Sequence, residues 1–140
     1  MKEIPKTEAE WAKKLSKGQF DILRNKGTEM AFTGKYWNCK ENGDYLCSGC
    51  GAKLFSSGAK FESGTGWPSF SSPANLNSVE LKKDLSRGMR RTEVICKKCK
   101  GHLGHLFYDG SADSGGKRFC INSCALEFMK HSKNERKKEK

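Results

Sequence analysis

The 140-residue chain is poor in the features that mark several large classes of protein. No apolar run approaches the roughly 20 residues that span a bilayer, and no secretory signal is recognisable, so we expect a cytoplasmic protein without a membrane partner. The seven cysteines are an odd number, which fits a disulfide framework poorly and favours a reducing compartment. Only 35% of the residues are hydrophobic, so the core is modest and a bound metal would add stability.

The basic segment at the end of the chain contains none of the aromatic residues that proteins use to bind single-stranded nucleic acid. The net charge is +11, and residues 130–140 carry six Lys or Arg and two Glu, which is +4. Such charge attracts nucleic acid, but this segment contains no aromatic side chain that could stack on bases. We therefore predict no nucleic-acid partner, one domain over residues 1–129, and a basic, disordered tail over residues 130–140.

Local patterns predict helices mainly near the start of the chain. Thr7-Glu-Ala-Glu10 has the form of a capping box and predicts a helix over 7–17 that stops at Gly18, with a further turn or two over 19–25. One more helical turn is predicted over 79–86. Glycine-rich turns elsewhere separate runs typical of strands, namely Tyr45-Leu46, Thr92–Ile95, His105–Tyr108 and Arg118–Ile121. The chain is predicted to be a mainly β domain behind a short N-terminal helical segment.

Four cysteines form two C-x-x-C pairs, and this is the strongest motif. Cys47 and Cys50 make one pair and Cys96 and Cys99 the other. Two residues between thiolates let one tight turn present both sulfurs, so two pairs predict a tetrahedral zinc site. The 45 residues between the pairs indicate that the metal clips two distant turns of one domain. Four thiolates leave no open position, so the zinc is predicted to be structural; a redox-active dithiol is the alternative.

Three cysteines remain, and Cys120 is the candidate nucleophile among them. It follows Arg118 in a polar, glycine-flanked stretch, and a nearby guanidinium favours the thiolate, which is the reactive form. A small buried hydrophobe is the alternative for Cys120. His102 and His105 lie three residues apart and could supply a proton near neutral pH, with Asp109 able to orient an imidazole or to occupy a turn.

An aromatic wall is predicted where Trp67 stands among small residues, in Ser63-Gly-Thr-Gly-Trp-Pro-Ser-Phe70. An indole displayed in this way can contact an apolar or cationic group, although core packing is the alternative for Trp67.

In this order the motifs resemble those of the methionine-R-sulfoxide reductase B family, over about residues 19–129. The matching stretches are Gly27-Thr-Glu, Phe32-Thr-Gly, Cys47-Ser-Gly-Cys50, Gly64-Thr-Gly-Trp-Pro-Ser-Phe70, Gly88-Met-Arg-Arg, Cys96-Lys-Lys-Cys99, Gly101-His-Leu-Gly-His105, Phe107-Tyr-Asp-Gly110 and Arg118-Phe-Cys-Ile-Asn-Ser123. The resemblance implies antiparallel sheets, one structural zinc ion and no organic cofactor. It also implies reduction of methionine R-sulfoxide, in oxidised proteins and free, by a monomer that thioredoxin recycles.

The resemblance also assigns roles to individual residues. Cys120 takes the position of the nucleophile and Trp67 that of the indole contacting the substrate methyl group. The polar positions around the sulfoxide fall on His102, His105, Asp109, Arg118 and Asn122, and Phe107 and Phe119 are predicted to contact the substrate. The expected reaction is attack by the Cys120 thiolate on the sulfoxide sulfur while an imidazolium protonates the oxygen, which leaves a sulfenic acid on Cys120.

One departure from the family concerns recycling. Many members have a second, resolving cysteine where this chain has Thr65. We predict Cys39 as the resolving thiol, because its polar segment lies close to the zinc-clipped body. Direct attack by thioredoxin is one alternative, and Cys124 is another, although four residues of extended strand place it roughly 13 Å from Cys120, beyond the roughly 7 Å limit for a disulfide. Two other functions remain open, a zinc-stabilised nucleic-acid-binding module and a redox sensor that uses Cys120 without turnover.

Overall fold

A computed structural model describes residues 7–61, 65–75, 77–85, 91–108 and 116–131 of the chain. The predicted tail beyond residue 131, and Asp109, lie outside the described residues. Two helices come first, α1 (Glu8–Lys14) and α2 (Lys17–Asn25). The strands that follow are β1 (Gly43–Cys47), β2 (Lys53–Ser56), β3 (Lys60–Phe61), β4 (Ser69–Phe70), β5 (Val79–Asp84), β6 (Arg91–Cys96), β7 (His102–Phe107), β8 (Arg118–Ile121) and β9 (Leu126–Lys130).

The strands form two antiparallel sheets. The smaller sheet has the order β2-β1-β9, and the larger has the order β3-β4-β8-β7-β6-β5. Every pairing within them is antiparallel. This confirms the prediction of a mainly β fold with a short helical segment at the start. Among the described residues, no helix is both long and apolar enough to cross a bilayer.

The N-terminal helices begin where the sequence has capping boxes, but Gly18 does not end a helix. Thr7 caps α1, and its side chain accepts from the Glu10 amide while Glu10 accepts from the Thr7 amide. A second capping box, between Ser16 and Gln19, begins α2. The prediction of a stop at Gly18 was therefore wrong, because the break falls one turn earlier, at Leu15 and Ser16, and Gly18 lies inside α2.

The segment predicted as a helical turn over 79–86 contains strand β5 over Val79–Asp84, and residue 86 lies outside the described residues. All six residues of β5 pair with β6, from Val79 opposite Cys96 to Asp84 opposite Arg91. The ladder to β6 therefore satisfies the backbone of β5, and tertiary pairing overrides its weak helical propensity.

The hydrophobic core packs the two sheets and the helices together. Phe55 of β2 stacks on Phe70 of β4 with ring centroids 4.4 Å apart, and Phe119 of β8 lies 6.0 Å from Phe55. Trp11 and Leu23 anchor the two helices to the same core. Since side chains alternate along a strand, the inward direction of Phe119 puts its neighbours Arg118 and Cys120 on the opposite face of the larger sheet.

Candidate active site and metal centre

The four C-x-x-C sulfurs meet in one buried cluster. The Sγ atoms of Cys47, Cys50, Cys96 and Cys99 all lie within 4.8 Å of one another. The separations Cys47–Cys99 and Cys50–Cys96 are both 3.6 Å, close to the edge of about 3.8 Å that a tetrahedron with Zn–S bonds of about 2.3 Å requires. The cluster fits a structural zinc ion, as the spacing predicted, and it ties the end of β1 to the end of β6 and so one sheet to the other.

Each C-x-x-C pair lies in the same kind of turn. The residue after the second cysteine donates its amide to the carbonyl of the first, Gly51 to Cys47 and Lys100 to Cys96, both at 2.8 Å. Both residues have positive φ, 83° for Gly51 and 65° for Lys100. Glycine adopts this conformation freely, whereas lysine does so at a cost, which the metal clip and the turn hydrogen bond offset.

Register places the candidate nucleophile and one histidine directly opposite each other. Cys120 of β8 pairs with Ser69 of β4 on one side and with His105 of β7 on the other, and His105 in turn pairs with Glu93 of β6. Opposite residues of antiparallel strands project from the same face. A row of polar and nucleophilic side chains therefore crosses the outer face of the larger sheet.

A bulge in β7 brings both histidines to that face. In a regular strand, residues three apart point to opposite faces, so His102 and His105 could not meet. The register between β6 and β7 shifts, with Ile95 opposite His102 but Val94 opposite Gly104, and this leaves Leu103 as the extra residue. The two imidazole rings consequently lie 5.4 Å apart.

The two imidazoles nevertheless have different surroundings. His102 is 2% exposed, and its Nδ1 lies 2.7 Å from a Glu93 carboxylate oxygen. Burial lowers the pKa of His102, and the bond to Glu93 opposes that effect. His105 lines the same cavity as Cys120, and its Nε2 lies 2.8 Å from an oxygen of the Asp84 carboxylate. His105, and not His102, is the imidazole that faces the nucleophile.

Cys120 lines a cavity of about 180 Å³ on this face. Most of the predicted site residues share that lining: Trp67, His105, Phe107, Arg118, Cys120 and Asn122. The Arg118 guanidinium lies 4.5 Å above the Phe107 ring centroid, so its charge is held at the wall by a cation–π contact. Three described residues that the sequence assigned to the site are absent from this lining: Phe119 packs against Phe55 in the core on the other face, and His102 and Cys39 line other depressions. The prediction that Phe119 contacts substrate is corrected accordingly.

Opposing influences act on the pKa of the Cys120 thiol. Burial raises the pKa of the Cys120 thiol above its ordinary value. The Arg118 charge and a hydrogen bond with Thr65 both lower that pKa, as a thiolate site requires, but they do not outweigh burial. The resting side chain therefore favours the thiol, and formation of the nucleophile needs a base nearby.

The segment around Glu29 was not predicted as part of the site. The backbone amide of Glu29 donates to Asn122 Oδ1 (3.0 Å), and the backbone carbonyl of Glu29 accepts from Trp67 Nε1 (2.9 Å). The Asn122 Nδ2 donates to the Leu103 carbonyl (3.0 Å), so Asn122 braces the strand behind the cavity as well as lining it. Glu29 thus orients the indole through backbone atoms, which no side-chain pattern could reveal.

Asp84 and Arg91 are further residues at the site to which the sequence assigned no role, and Thr65, noted above for the cysteine it replaces, lies there too. Asp84 is 5% exposed and bonds His105 and Arg91, and both Arg91 and Thr65 line the cavity. Asp84 and Arg91 are paired across β5 and β6, an opposite-charge match that could have been recognised only once β5 was known to be a strand.

The two other free cysteines lie away from this cavity. Cys39 lines a separate cavity beside Lys60 and Phe61, and Cys124 lies in the turn after β8, where its amide donates to the Glu29 carboxylate. Among the described residues, Cys120 is therefore the one cysteine that lines the cavity holding His105 and Trp67.

Fold and site together define a mainly β protein, in which the candidate nucleophile Cys120 shares a cavity with an imidazole and a four-cysteine cluster that fits a zinc ion joins the two sheets. The SelR domain family matches residues 15–130, and the chain belongs to this family of methionine-R-sulfoxide reductases B. The chain is similar to proteins named peptide methionine sulfoxide reductase MsrB. That of Thiobacillus denitrificans is 54% identical over 124 residues, 89% of this chain and 93% of the relative. Those of Acinetobacter baumannii and Acinetobacter baylyi are 49% identical over 135 residues; the former match covers 96% of both chains.

Proposed function

We propose that this protein reduces methionine R-sulfoxide to methionine, in oxidised proteins and as the free amino acid, through a sulfenic acid on Cys120. The activity follows from membership of the family. The observation that supports the residue roles is the cavity in which Cys120, His105 and Trp67 share one lining. A cavity of this size suits a methionine side chain, with one apolar wall and several polar groups.

The substrate is oriented by opposite walls of the cavity. The indole of Trp67, held by its bond to the Glu29 carbonyl, offers an apolar face to the sulfoxide methyl group. Arg118, stacked on Phe107, offers positive charge to the sulfoxide oxygen. The sulfur would then lie before Cys120.

The chemistry needs one proton to move. His105 accepts the proton of the Cys120 thiol, and the resulting thiolate attacks the substrate sulfur. The imidazolium returns the proton to the sulfoxide oxygen of this adduct. The hydroxyl then transfers to the Cys120 sulfur, and both the S–O bond to the substrate and the transient bond between the two sulfurs break, which leaves a sulfenic acid on Cys120 and releases methionine. Cys120 is oxidised and the substrate reduced by two electrons.

We infer that His105 is the proton carrier and that His102 supports it. Of the two, His105 lines the cavity, whereas His102 is buried, its pKa is lowered by that burial, and its ring pairs with Glu93. His105→Ala should slow the single-turnover rate by roughly 10²-fold or more, as expected when a general acid is lost. His102→Ala is the matched variant, and its single-turnover rate should fall by less. A larger fall in His102→Ala than in His105→Ala would make His102 the proton carrier.

Recycling needs a second thiol, which condenses with the sulfenic acid and releases water; thioredoxin then reduces the disulfide. Cys39 remains our proposed resolving cysteine. It lies beside Phe61, whose strand is two strand spacings, about 9.5 Å, from β8, so its segment would have to move toward Cys120. Direct attack by thioredoxin on the sulfenic acid requires no such movement and is the alternative.

Disulfide mapping separates these routes. Reduced protein is treated with one equivalent of methionine sulfoxide and digested for peptide mass spectrometry. A Cys39–Cys120 peptide pair supports Cys39. Two results together would overturn the role of Cys39 as resolving cysteine: Cys39→Ser keeps full thioredoxin-dependent turnover, and Cys120 of the wild type is trapped as a sulfenic acid.

Turnover on each resolved sulfoxide epimer, with thioredoxin as reductant, tests the function as a whole. The R epimer should be reduced and the S epimer should not. Absence of turnover on both epimers would favour a redox sensor that uses Cys120 without catalysis. A monomeric state and a cytoplasmic location complete the proposal, and light scattering of the purified chain tests the first of them.

A further inference from the structure

A buried carboxylate stands behind the imidazole that faces Cys120. Asp84, the last residue of β5, is 5% exposed. Its Oδ2 lies 2.8 Å from His105 Nε2 and accepts from the Arg91 guanidinium at 3.4 Å. A buried charge is costly unless it is paired and hydrogen-bonded, and β5, β6 and β7 each contribute one member of this group. The arrangement therefore depends on the register of three adjacent strands.

We propose that Asp84 is a positioning residue for the reaction: it holds His105 with Nε2–H directed at the carboxylate, so that Nδ1 serves Cys120 and the sulfoxide oxygen. The proposal rests on the proposed function of His105 as proton carrier. Because a ring nitrogen that donates to a carboxylate must carry a proton, the Asp84 bond selects one neutral tautomer. The same logic fixes the histidine in serine-protease triads.

Arg91 makes the arrangement compatible with both protonation states. When His105 is an imidazolium, Asp84 balances its charge. When His105 has given up its proton, Arg91 still pairs with the carboxylate. Among the described residues, the charged groups around His105 are Asp84, Arg91 and Glu93 on the side of β5 and β6 and Arg118 beside Cys120 on the side of β8, and the titratable His102 ring lies 5.4 Å away.

Glu93 and His102 form a second carboxylate–imidazole pair, but this pair does not line the cavity that holds Cys120. Glu93 bonds His102 at 2.7 Å and is also paired with Lys26 at 3.3 Å. His102 and Glu93 line a different depression from the one that holds Cys120. Of the two acid–imidazole pairs on this face, only Asp84 and His105 therefore act on the cavity of the nucleophile.

The tautomer of His105 can be measured in the wild-type protein without any variant. The full chain, reduced and loaded with zinc, is labelled with ¹⁵N-histidine, and long-range ¹H–¹⁵N spectra report which ring nitrogen carries the proton. The His105 signals are assigned by their absence in His105→Gln. We expect the neutral ring to carry its proton on Nε2. A neutral ring protonated on Nδ1 would overturn the proposal.

Asp84→Leu removes the acceptor at similar volume, and Asp84→Asn retains an acceptor oxygen. Asp84→Leu should lose the tautomer preference and slow single turnover by at least about tenfold, while Asp84→Asn should keep the preference and recover part of the rate. The matched control is Asp44→Leu, since Asp44 likewise pairs with a histidine and a cation, His131 and Lys53, in the other sheet. Asp44→Leu should change neither the tautomer of His105 nor the single-turnover rate.

Two results would contradict the assignment to Asp84. One is a wild-type rate or tautomer in Asp84→Leu, and the other is an equal loss of rate in Asp84→Leu and Asp84→Asn with His105 unchanged, which would indicate a purely structural role. If the wild type reduces neither sulfoxide epimer, the proposed function fails, yet the tautomer spectra still decide what Asp84 does.

Discussion

Gly104 is the position where a single methyl group should uncouple the nucleophile from its imidazole. It lies in β7 beside His105 and opposite Ile121. A Cβ built on Gly104 would stand 3.0 Å from both the carbonyl carbon of Cys120 and the Cα of Ile121, and closer still to the Cys120 carbonyl oxygen. Carbon atoms in contact prefer about 3.5–4.0 Å, and the contact with the Cys120 carbonyl oxygen is the tightest of the three, so β8 must retreat by roughly 1 Å or more.

The predicted cost of Gly104→Ala has two parts. Overpacking of this kind destabilises a fold by about 1–3 kcal/mol, and a misplacement near 1 Å at a reacting pair can cost roughly 10²-fold in rate. The loss should appear in the chemical step, measured as methionine formed per enzyme in a single turnover at saturating sulfoxide. Zinc content should stay at one ion per chain, because the strand that has to move is β8, which contributes no cysteine to the sulfur cluster.

Gly18→Ala is the matched control. Its new Cβ would meet Cys124 Sγ at 3.6 Å, an ordinary contact, and it lies in α2, where alanine is the better residue by up to about 1 kcal/mol. Its melting temperature should therefore be unchanged or higher, and its rate unchanged. A wild-type single-turnover rate in Gly104→Ala would refute the argument that the close approach of β7 and β8 sets the reacting geometry.

Three further predictions concern the sulfurs. Cys120→Ser should abolish turnover while melting temperature and zinc content stay those of the wild type; residual activity at the wild-type level would remove Cys120 as nucleophile. Cys96→Ser should lose the metal and several kcal/mol of unfolding free energy, since structural zinc contributes roughly 10 kcal/mol or more to small domains; elemental analysis that finds folded, metal-free wild type would contradict the site. Arg118→Met should move the pH midpoint of Cys120 alkylation upward, because the Arg118 charge lowers the pKa of this thiol; an unchanged or lower midpoint, with Lys117→Met as the control, would show that the charge does not act on the sulfur.

Sequence was sufficient wherever the chemistry is local. A C-x-x-C pair brings two sulfurs together within one turn, so the zinc ligands Cys47, Cys50, Cys96 and Cys99 could be named from spacing alone, and their cluster has the expected form. The start of α1 was predicted for the same reason, because a capping box is closed within three residues. Only the approximate positions of the central strands followed from their apolar and β-branched residues.

Tertiary structure decided whatever depends on register and burial. A spacing of three did not say which histidine faces Cys120, since the answer lies in a bulge at Leu103 that forms against β6. Phe119 was assigned to the substrate, yet strand alternation turns it into the core. The sequence neighbour Arg118 suggested a thiolate, whereas burial, a property of the whole fold, raises the pKa of Cys120. Asp84 and Arg91 acquire their place beside His105 only because three strands align, a long-range pairing that no local pattern encodes.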